Sequence, residues 1–368
     1  MNREFSLYLD FIRFAAAVIV VINHSNYRGL ISEVLPQWGH SAVMVFFVLS
    51  GYVIAYVTAT KEKTMRDYAV NRMARIYSVA PVAILLTLLL DQTGQMISDD
   101  FYGSNTTHDH YLLRMFTSLF FLNEFWVVSI TTYSNVPYWS LNYEVWYYIM
   151  FAVAFFLRGS LRVWGLVLIC AVLGPKILLL APIWWLGVYL YRSQFFSIIN
   201  ERVGWLLFIG SIIGIIIFHY YGIEAIAKGW LRLQVGEYIY EQLAYSRSFL
   251  SDYLLGVMVF MNFAGFRAIS HRFRALLNPP AKAIRVVASY TFILYLAHQP
   301  LIWFFATAID GDPNGLVFYT QVMLCVVISV YLLGQITEQR KGFYKKISVF
   351  LVDHSIRLLR INETKKGQ

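Results

Sequence analysis

Apolar residues run along this chain in long blocks, without the short alternations that mark half-buried strands or amphipathic soluble helices. Ten blocks read as candidate membrane-spanning helices, at roughly 8–25, 41–59, 78–96, 138–157, 161–173, 177–191, 203–221, 248–265, 286–308 and 316–336. Most approach the ~20 apolar residues needed to cross a hydrocarbon core about 30 Å thick. The fifth and sixth are short and are separated by Gly174-Pro175-Lys176, so they read as two tilted helices or one broken hairpin. The pattern predicts an all-α polytopic bundle. Residues 111–130 are apolar enough for a further span but carry Arg114, Asn123 and Glu124. No internal repeat or low-complexity linker interrupts the series.

Charge distribution decides the status of 111–130. With the N-terminus cytoplasmic and that segment left out, most of the 30 Lys and Arg fall on the inside, in clusters at 61–75, 267–285 and after 339. Asp99, Asp100, Asp109, Asp310 and Asp312 fall outside. This is the positive-inside pattern, and it predicts that both termini are cytoplasmic. Counting 111–130 as a span inverts everything downstream. The first apolar block reads as a retained span and not a signal peptide, because Asp10 and Arg13 interrupt it and no cleavage site is convincing. The division is then a transmembrane domain at 1–336 and a basic tail at 337–368. In the tail, from about 338 to 361, Phe343, Ile347, Phe350, Leu351, Leu358 and Ile361 lie among Lys and Arg, as in an amphipathic helix lying on the cytoplasmic leaflet.

Composition agrees and narrows the classes. The chain is 58% hydrophobic and 14% charged, against about 25% charged in a soluble domain. The net charge of +9 belongs to membrane loops and not to one soluble basic face, so nucleic acid is not an expected partner. Cys170 and Cys325 lie in apolar blocks and read as packing residues. No His, Cys and carboxylate cluster has metal-ligand spacing, and no phosphate-binding Gly-Lys-Ser/Thr loop is present. No metal and no tightly bound cofactor are expected.

Ionisable residues inside the apolar blocks are the candidates for chemistry, since a charge there is costly. The first block reads Asp10-Phe-Ile-Arg13 and ends at His24. Arg13 and His24 are eleven helical steps apart, roughly 16 Å along the axis and nearly three full turns, so they share a face about half a bilayer apart. A cation near one surface and an imidazole deeper on the same face suit a long anionic donor whose reactive end reaches across. Alternatively Arg13 snorkels to the headgroups or pairs with Asp10, and His24 is a hydrogen-bonded helix end.

Several short motifs then occur in order. Arg13-x10-His24 is followed by Phe46-Phe47-Val48-Leu49-Ser50-Gly51-Tyr52, then Arg72-x-x-Arg75-Ile76-Tyr77. Trp139-Ser140-Leu141-Asn142-Tyr143-Glu144 and Tyr295-Leu296-Ala297-His298-Gln299-Pro300 complete the series. Together, from about residue 8 to 336, they resemble acyltransferase family 3, membrane proteins that O-acylate sugars. Two departures stand out. Ser78 follows Tyr77 where the family often has Pro, and Met44 stands where many relatives have Asp before the Phe-Phe pair. A branch that the Gly39-to-Met44 stretch resembles also lacks that Asp, which marks His40 as a branch-specific candidate near the outer side.

The resemblance implies a bacterial inner-membrane enzyme. It would move an acyl group, most simply acetyl, from cytoplasmic acyl-CoA to a hydroxyl of an extracytoplasmic carbohydrate or glycolipid. His24 would act as general base or carry the acyl group itself. Glu144 would assist His24 or orient the acceptor, or serve as a structural ion pair. Arg13, Arg72 and Arg75, with Asp10 holding Arg13, would bind donor phosphates. Ser140, Tyr295, His298 and His40 are substrate-lining candidates. Ser50-Gly51 reads as a close helix contact. Trp230, Tyr238 and Tyr240, in a long mixed loop at 222–247, read as belt aromatics or sugar-stacking rings. The competing class is a transporter or flippase for a glycolipid or small anion, whose buried charges would line a path.

The topology predicts that cysteines placed at positions 66 and 275 react with a membrane-impermeant thiol reagent only from the cytoplasmic side. Labelling of either from outside contradicts the ten-span count.

Overall fold

Helices account for nearly all of the chain, because a backbone in hydrocarbon must satisfy its own N–H and C=O groups. The computed structural model describes residues 1–26, 37–106, 109–194 and 198–366. Its helices are α1 (Arg3–Ser25), α2 (Gly39–Thr60), α3 (Met65–Tyr77), α4 (Ala80–Ile97), α5 (Asp99–Asn105) and α6 (Tyr111–Leu119). After a two-stranded hairpin, β1 (Glu124–Phe125) and β2 (Val128–Ser129), come α7 (Trp139–Phe156), α8 (Gly159–Leu173) and α9 (Pro175–Arg192). The chain continues through α10 (Glu201–Tyr220), α11 (Ile223–Gln242), α12 (Phe249–Ile269), α13 (Arg274–Leu277) and α14 (Ala281–Ala288). It closes with α15 (Thr291–Ala308), α16 (Leu316–Ile336) and α17 (Lys341–Lys366).

Seven helical runs among the described residues are long and apolar enough to cross a membrane. They are Arg3–Ser25, Gly39–Thr60, Met65–Ile97, Glu201–Tyr220, Phe249–Leu277, Thr291–Ala308 and Leu316–Arg357. The other three blocks expected to span coincide with α7, α8 and α9, of 18, 15 and 18 residues. The short fifth and sixth blocks are two helices that turn at Gly174, whose φ is 73°.

Residues 111–130 form a nine-residue helix and a hairpin. At 1.5 Å per residue that helix is about 14 Å long, too short to cross. Its polar residues have partners elsewhere in the fold. Arg114 bonds Asp109 and Thr131, and Asn123 accepts from Asn142 at 2.9 Å. The Glu124 carboxylate meets Lys176 Nζ at 2.7 Å, both side chains being about 1% exposed. Trp126 closes over the Gly174 turn, donating to the carbonyls of Leu173 and Ala171.

Segment 222–247, expected as a loop, is mostly helix. α11 occupies it with a break at Gly236, where φ is 75°. Lys228 pairs with Glu224 at i, i+4 along the helix, and Arg232 pairs with Glu237 across the break at Gly236. Trp230 and Tyr238 are exposed, whereas Tyr240 is buried under the guanidinium groups of Arg232 and Arg247. α17 packs on α3, tied by a two-point contact from Arg66 to Asp353 at 2.6 and 2.8 Å, and leaves Phe343 and Phe350 exposed.

The centre of the bundle is α1 against α2, α14 and α15, with α9 and α12 behind α2. α2 and α9 approach until backbones touch. A Cβ on Gly51 would lie 2.0 Å from the Trp184 carbonyl oxygen, and one on Gly187 would lie 1.9 Å from that of Val48. This is the close contact expected at Ser50-Gly51. At the start of α1, Asn2 caps the helix by accepting from Phe5 N–H at 2.9 Å and donates to Ser270 at 2.8 Å. Tyr8 donates to Asn262 at 2.5 Å. These contacts fix the rotation of α1, and with it the direction in which Arg13 and His24 face.

Gly187→Val is expected to force α2 and α9 apart and to abolish a monodisperse folded peak in detergent size-exclusion chromatography. Gly210→Ala, where a Cβ meets nothing within 4 Å, should elute as the wild type. Equal behaviour of the two variants would remove the contact's structural role.

Candidate functional site

Polar side chains from α1, α2, α3, α7 and α15 converge on one interior recess, which Arg13 lines, and His24 lies eleven residues further along α1. Midway along α1 a basic mouth is lined by Asp10, Arg13, Arg75, Arg285, Glu338 and Lys341. Arg13 Nη1 contacts Asp10 at 3.3 Å, the i, i+3 pair anticipated in the sequence. Glu338 is held by the Ile293 backbone N–H at 3.1 Å. Arg75 has no ion-pair or hydrogen-bond partner among the described residues. Its guanidinium lies over the Phe292 ring, 5.7 Å from the centroid, and faces the mouth.

Arg72 differs from its neighbour. It donates to Glu62 at 2.6 Å, and the Glu62 side chain is fully buried. Thr58 and Asn71 complete the bonds to that carboxylate. The rings of Tyr68 and Tyr148 flank the Arg72 guanidinium. Of the two arginines in the Arg-x-x-Arg pair, Arg72 is already neutralised and Arg75 is open.

Beyond the mouth lies a narrow recess of about 60 Å³. Arg13, Arg75 and Thr291 line both spaces, so the two are continuous. Apolar walls come from Phe46, Phe47 and Leu141, and polar groups from Ser50, Ser140, Glu144, Tyr148 and Tyr295. Ser140 Oγ lies 2.6 Å from the Tyr295 hydroxyl, and not on a histidine. Glu144 accepts from Ser50 at 2.5 Å and from Tyr148. Its carboxylate is therefore placed among the recess hydroxyls, near Arg13 and Arg75. No bond joins it to His24 among the described residues.

The partner of His24 is His298. His24 Nδ1 lies 2.9 Å from His298 Nε2 and 3.0 Å from the Val20 carbonyl. His298 is fully buried, one turn beyond Tyr295 on α15, and its Nδ1 is 2.8 Å from the Tyr295 carbonyl. His24 is half-buried, and its Nε2 has no partner among the described residues. Pro300 lies inside α15 and has no N–H for the carbonyl four residues back. That carbonyl, of Leu296, accepts from Asn135 Nδ2 at 2.6 Å, so the group beside His298 is satisfied from the loop before α7. Asp91 holds the same loop through Ser134, at 2.9 and 2.6 Å.

His40 lies apart from this pair. Its Nε2 contacts the buried Asp252 carboxylate at 3.0 Å, and its ring stacks on Trp139. Gly39 N–H donates to Asn23 at 3.0 Å, which brings the start of α2 beside the end of α1.

Sequence reasoning did not select Arg285, Lys341, Glu338, Ser50 or Tyr148 as lining residues. Arg285 and Lys341 sit in the basic clusters that had indicated topology, and Ser50 had been read only as packing. The only available signal for Tyr148 was its place one turn after Glu144.

Long apolar helices around an ionisable, partly open interior define an integral membrane protein with an internal polar site. The family model for the acyltransferase domain of acyltransferase family 3 matches residues 6–335, so the chain belongs to that family and is a transferase of acyl groups. No curated protein and no solved structure matches it.

The different surroundings of the two arginines predict different consequences. Arg72→Met strands a buried carboxylate and should lower stability on the order of 3 kcal/mol, seen as a lower thermal midpoint in detergent. Arg75→Met should leave the midpoint unchanged. A reversed order would assign the structural role to Arg75.

Proposed function

We propose that this protein is an acyl-CoA-dependent O-acyltransferase of the bacterial inner membrane, carrying acetyl from the cytoplasmic donor to a hydroxyl of a carbohydrate or glycolipid on the other side. The observation that carries the reading is the pairing of two sites on α1. One, midway along the helix, opens on a mouth of cations, and the other, at its last turn, holds an imidazole whose Nε2 has no partner among the described residues.

On this reading the basic mouth is cytoplasmic. Arg75 and Arg13, with Arg285 and Lys341 nearer the entrance, bind the phosphates of the donor. A guanidinium without a carboxylate of its own is the stronger candidate, which favours Arg75 over Arg72. The acyl-bearing arm lies along the recess, between apolar walls and the hydroxyls of Ser140, Tyr148 and Tyr295. Arg13 and His24 are roughly 16 Å apart along the helix, a distance that an extended pantetheine arm spans. The acyl chain specificity is set by the far end of the recess.

A sugar hydroxyl becomes nucleophilic when His24 Nε2 takes its proton. The oxygen attacks the thioester carbonyl and a C–O bond forms. The C–S bond then breaks, and the leaving thiolate takes the proton from the imidazolium. No other co-reactant is needed, because the thioester supplies the driving force. Attack by His24 itself, to form an acyl-histidine, uses the same nitrogen and the same geometry. Glu144 acts from the recess, holding Ser50 and Tyr148 along the donor path and adding a negative charge beside the arginines.

Acetyl-CoA titrated into purified protein in detergent should bind saturably to the wild type. Arg75→Ala and Arg13→Ala should each weaken binding about tenfold or more, as expected for a lost charge-assisted phosphate contact. His24→Ala should bind as the wild type does and transfer nothing. Unchanged affinity in both arginine variants, or turnover without His24, would overturn the reading.

A further inference from the structure

His24 can act as a base towards the acceptor only if its bare nitrogen is Nε2, and a neutral imidazole has two tautomers. The contacts around the histidine pair decide between them. His298 Nδ1 faces two backbone carbonyls, Tyr295 at 2.8 Å and Leu294 at 3.2 Å. Carbonyl oxygens only accept, so this nitrogen carries the ring proton and donates. His298 Nε2 is then an acceptor. It lies 2.9 Å from His24 Nδ1, which also faces the Val20 carbonyl at 3.0 Å. Between two acceptors, His24 Nδ1 carries the proton. Nε2 is left bare, on the atom that has no partner among the described residues.

The direction of this chain of bonds is set by backbone and not by a titrating carboxylate. One turn of α15 orients His298, and His298 orients His24. The two rings are tilted by 40° with centroids 5.0 Å apart, a contact through edges and not a stack. His298 is fully buried, so the orientation is not shared with solvent.

We propose that His298 is a positioning residue for acyl transfer. It accepts the Nδ1–H of His24, holds Nε2 towards the acceptor hydroxyl, and stabilises the imidazolium formed when His24 takes the proton. This inference rests on the reading of His24 as the base. The role parallels that of the carboxylate behind a catalytic histidine, filled here by a neutral ring. The substitution suits the site. A carboxylate buried among lipid-embedded helices carries a permanent desolvation cost, whereas a neutral imidazole carries none until the proton moves. Once His24 is protonated, a hydrogen-bonded ring nitrogen is a better acceptor for its Nδ1–H than the Val20 carbonyl alone. The transferred proton stays on Nε2 of His24, from which it is returned to the leaving thiolate.

Two variants and one spectrum test the proposal. In His298→Gln the side-chain amide oxygen comes close to the position of Nε2 and can accept the same bond. In His298→Leu the volume is kept and the acceptor is lost. Both should bind acetyl-CoA with wild-type affinity, which reports on folding and on the donor site. The Leu variant should lose about 100-fold in kcat with the donor KM unchanged, and the Gln variant should stay within about tenfold of the wild type. Wild-type kcat in the Leu variant, or equal losses in Leu and Gln, would overturn the proposal. Nitrogen-15 NMR of histidine-labelled wild type, with His24→Gln used for assignment, tests the tautomer without any turnover. His24 Nδ1 should resonate as protonated and Nε2 as bare, and the reverse would overturn the proposal. A wild type that shows this tautomer but neither binds nor consumes acetyl-CoA would count against the proposed function while leaving the His298 geometry standing.

Discussion

A polar side chain inside a bilayer must face another polar group or a cavity, and the interior of this protein follows from that requirement. The long helices carry few polar residues, and those residues turn towards one another. Glu144 on α7 meets Ser50 on α2, and Ser140 on α7 meets Tyr295 on α15. Asn135, in the loop before α7, meets the carbonyl that Pro300 leaves open on α15. The pairs line up because each helix is held at one rotation by backbone-close packing, as at Gly51 and Gly187. The result is a polar recess enclosed by an apolar bundle, with guanidinium groups at its mouth.

Within that bundle, local surroundings divide residues that look alike in one dimension. Arg72 and Arg75 are three residues apart, yet one neutralises a buried carboxylate and the other faces an open mouth. His24, His40 and His298 lie in similar apolar contexts. His40 is paired with Asp252, His298 is enclosed by backbone carbonyls, and His24 keeps one nitrogen free among the described residues. An imidazole with a fixed donor side and an open acceptor side is poised for proton transfer in a way that an ion-paired one is not.

The helical membrane fold was legible from hydropathy alone. The distribution of Lys and Arg set 111–130 apart from a span, and the structure makes it a nine-residue helix and a hairpin. The partners of Arg114, Asn123 and Glu124, which are Asp109, Asn142 and Lys176, were not legible, since tertiary pairing across tens of residues leaves no periodic trace. Segment 222–247 was read as a loop because its composition is mixed, whereas most of it is the helix α11, interrupted at Gly236. At the site, the Arg13–His24 spacing could be read from helical geometry. The His24–His298 contact joins residues 274 apart in the chain and depends on the rotation of two helices, which only the packing determines. Glu144 was expected to assist His24, to orient the acceptor or to make a structural contact, and its carboxylate bonds α2 and its own next turn, among the recess hydroxyls.

The central claim is directional transfer: a donor that enters by the basic mouth, chemistry at His24, and an acceptor reached from the opposite side. The most direct test uses sealed right-side-out membrane vesicles containing the protein, with radiolabelled acetyl-CoA enclosed in the lumen or supplied outside. The account predicts that enclosed donor labels carbohydrate accessible from the exterior, that external donor does not, and that His24→Ala vesicles label nothing above background. Labelling from externally supplied acetyl-CoA, or equal labelling without His24, would contradict it.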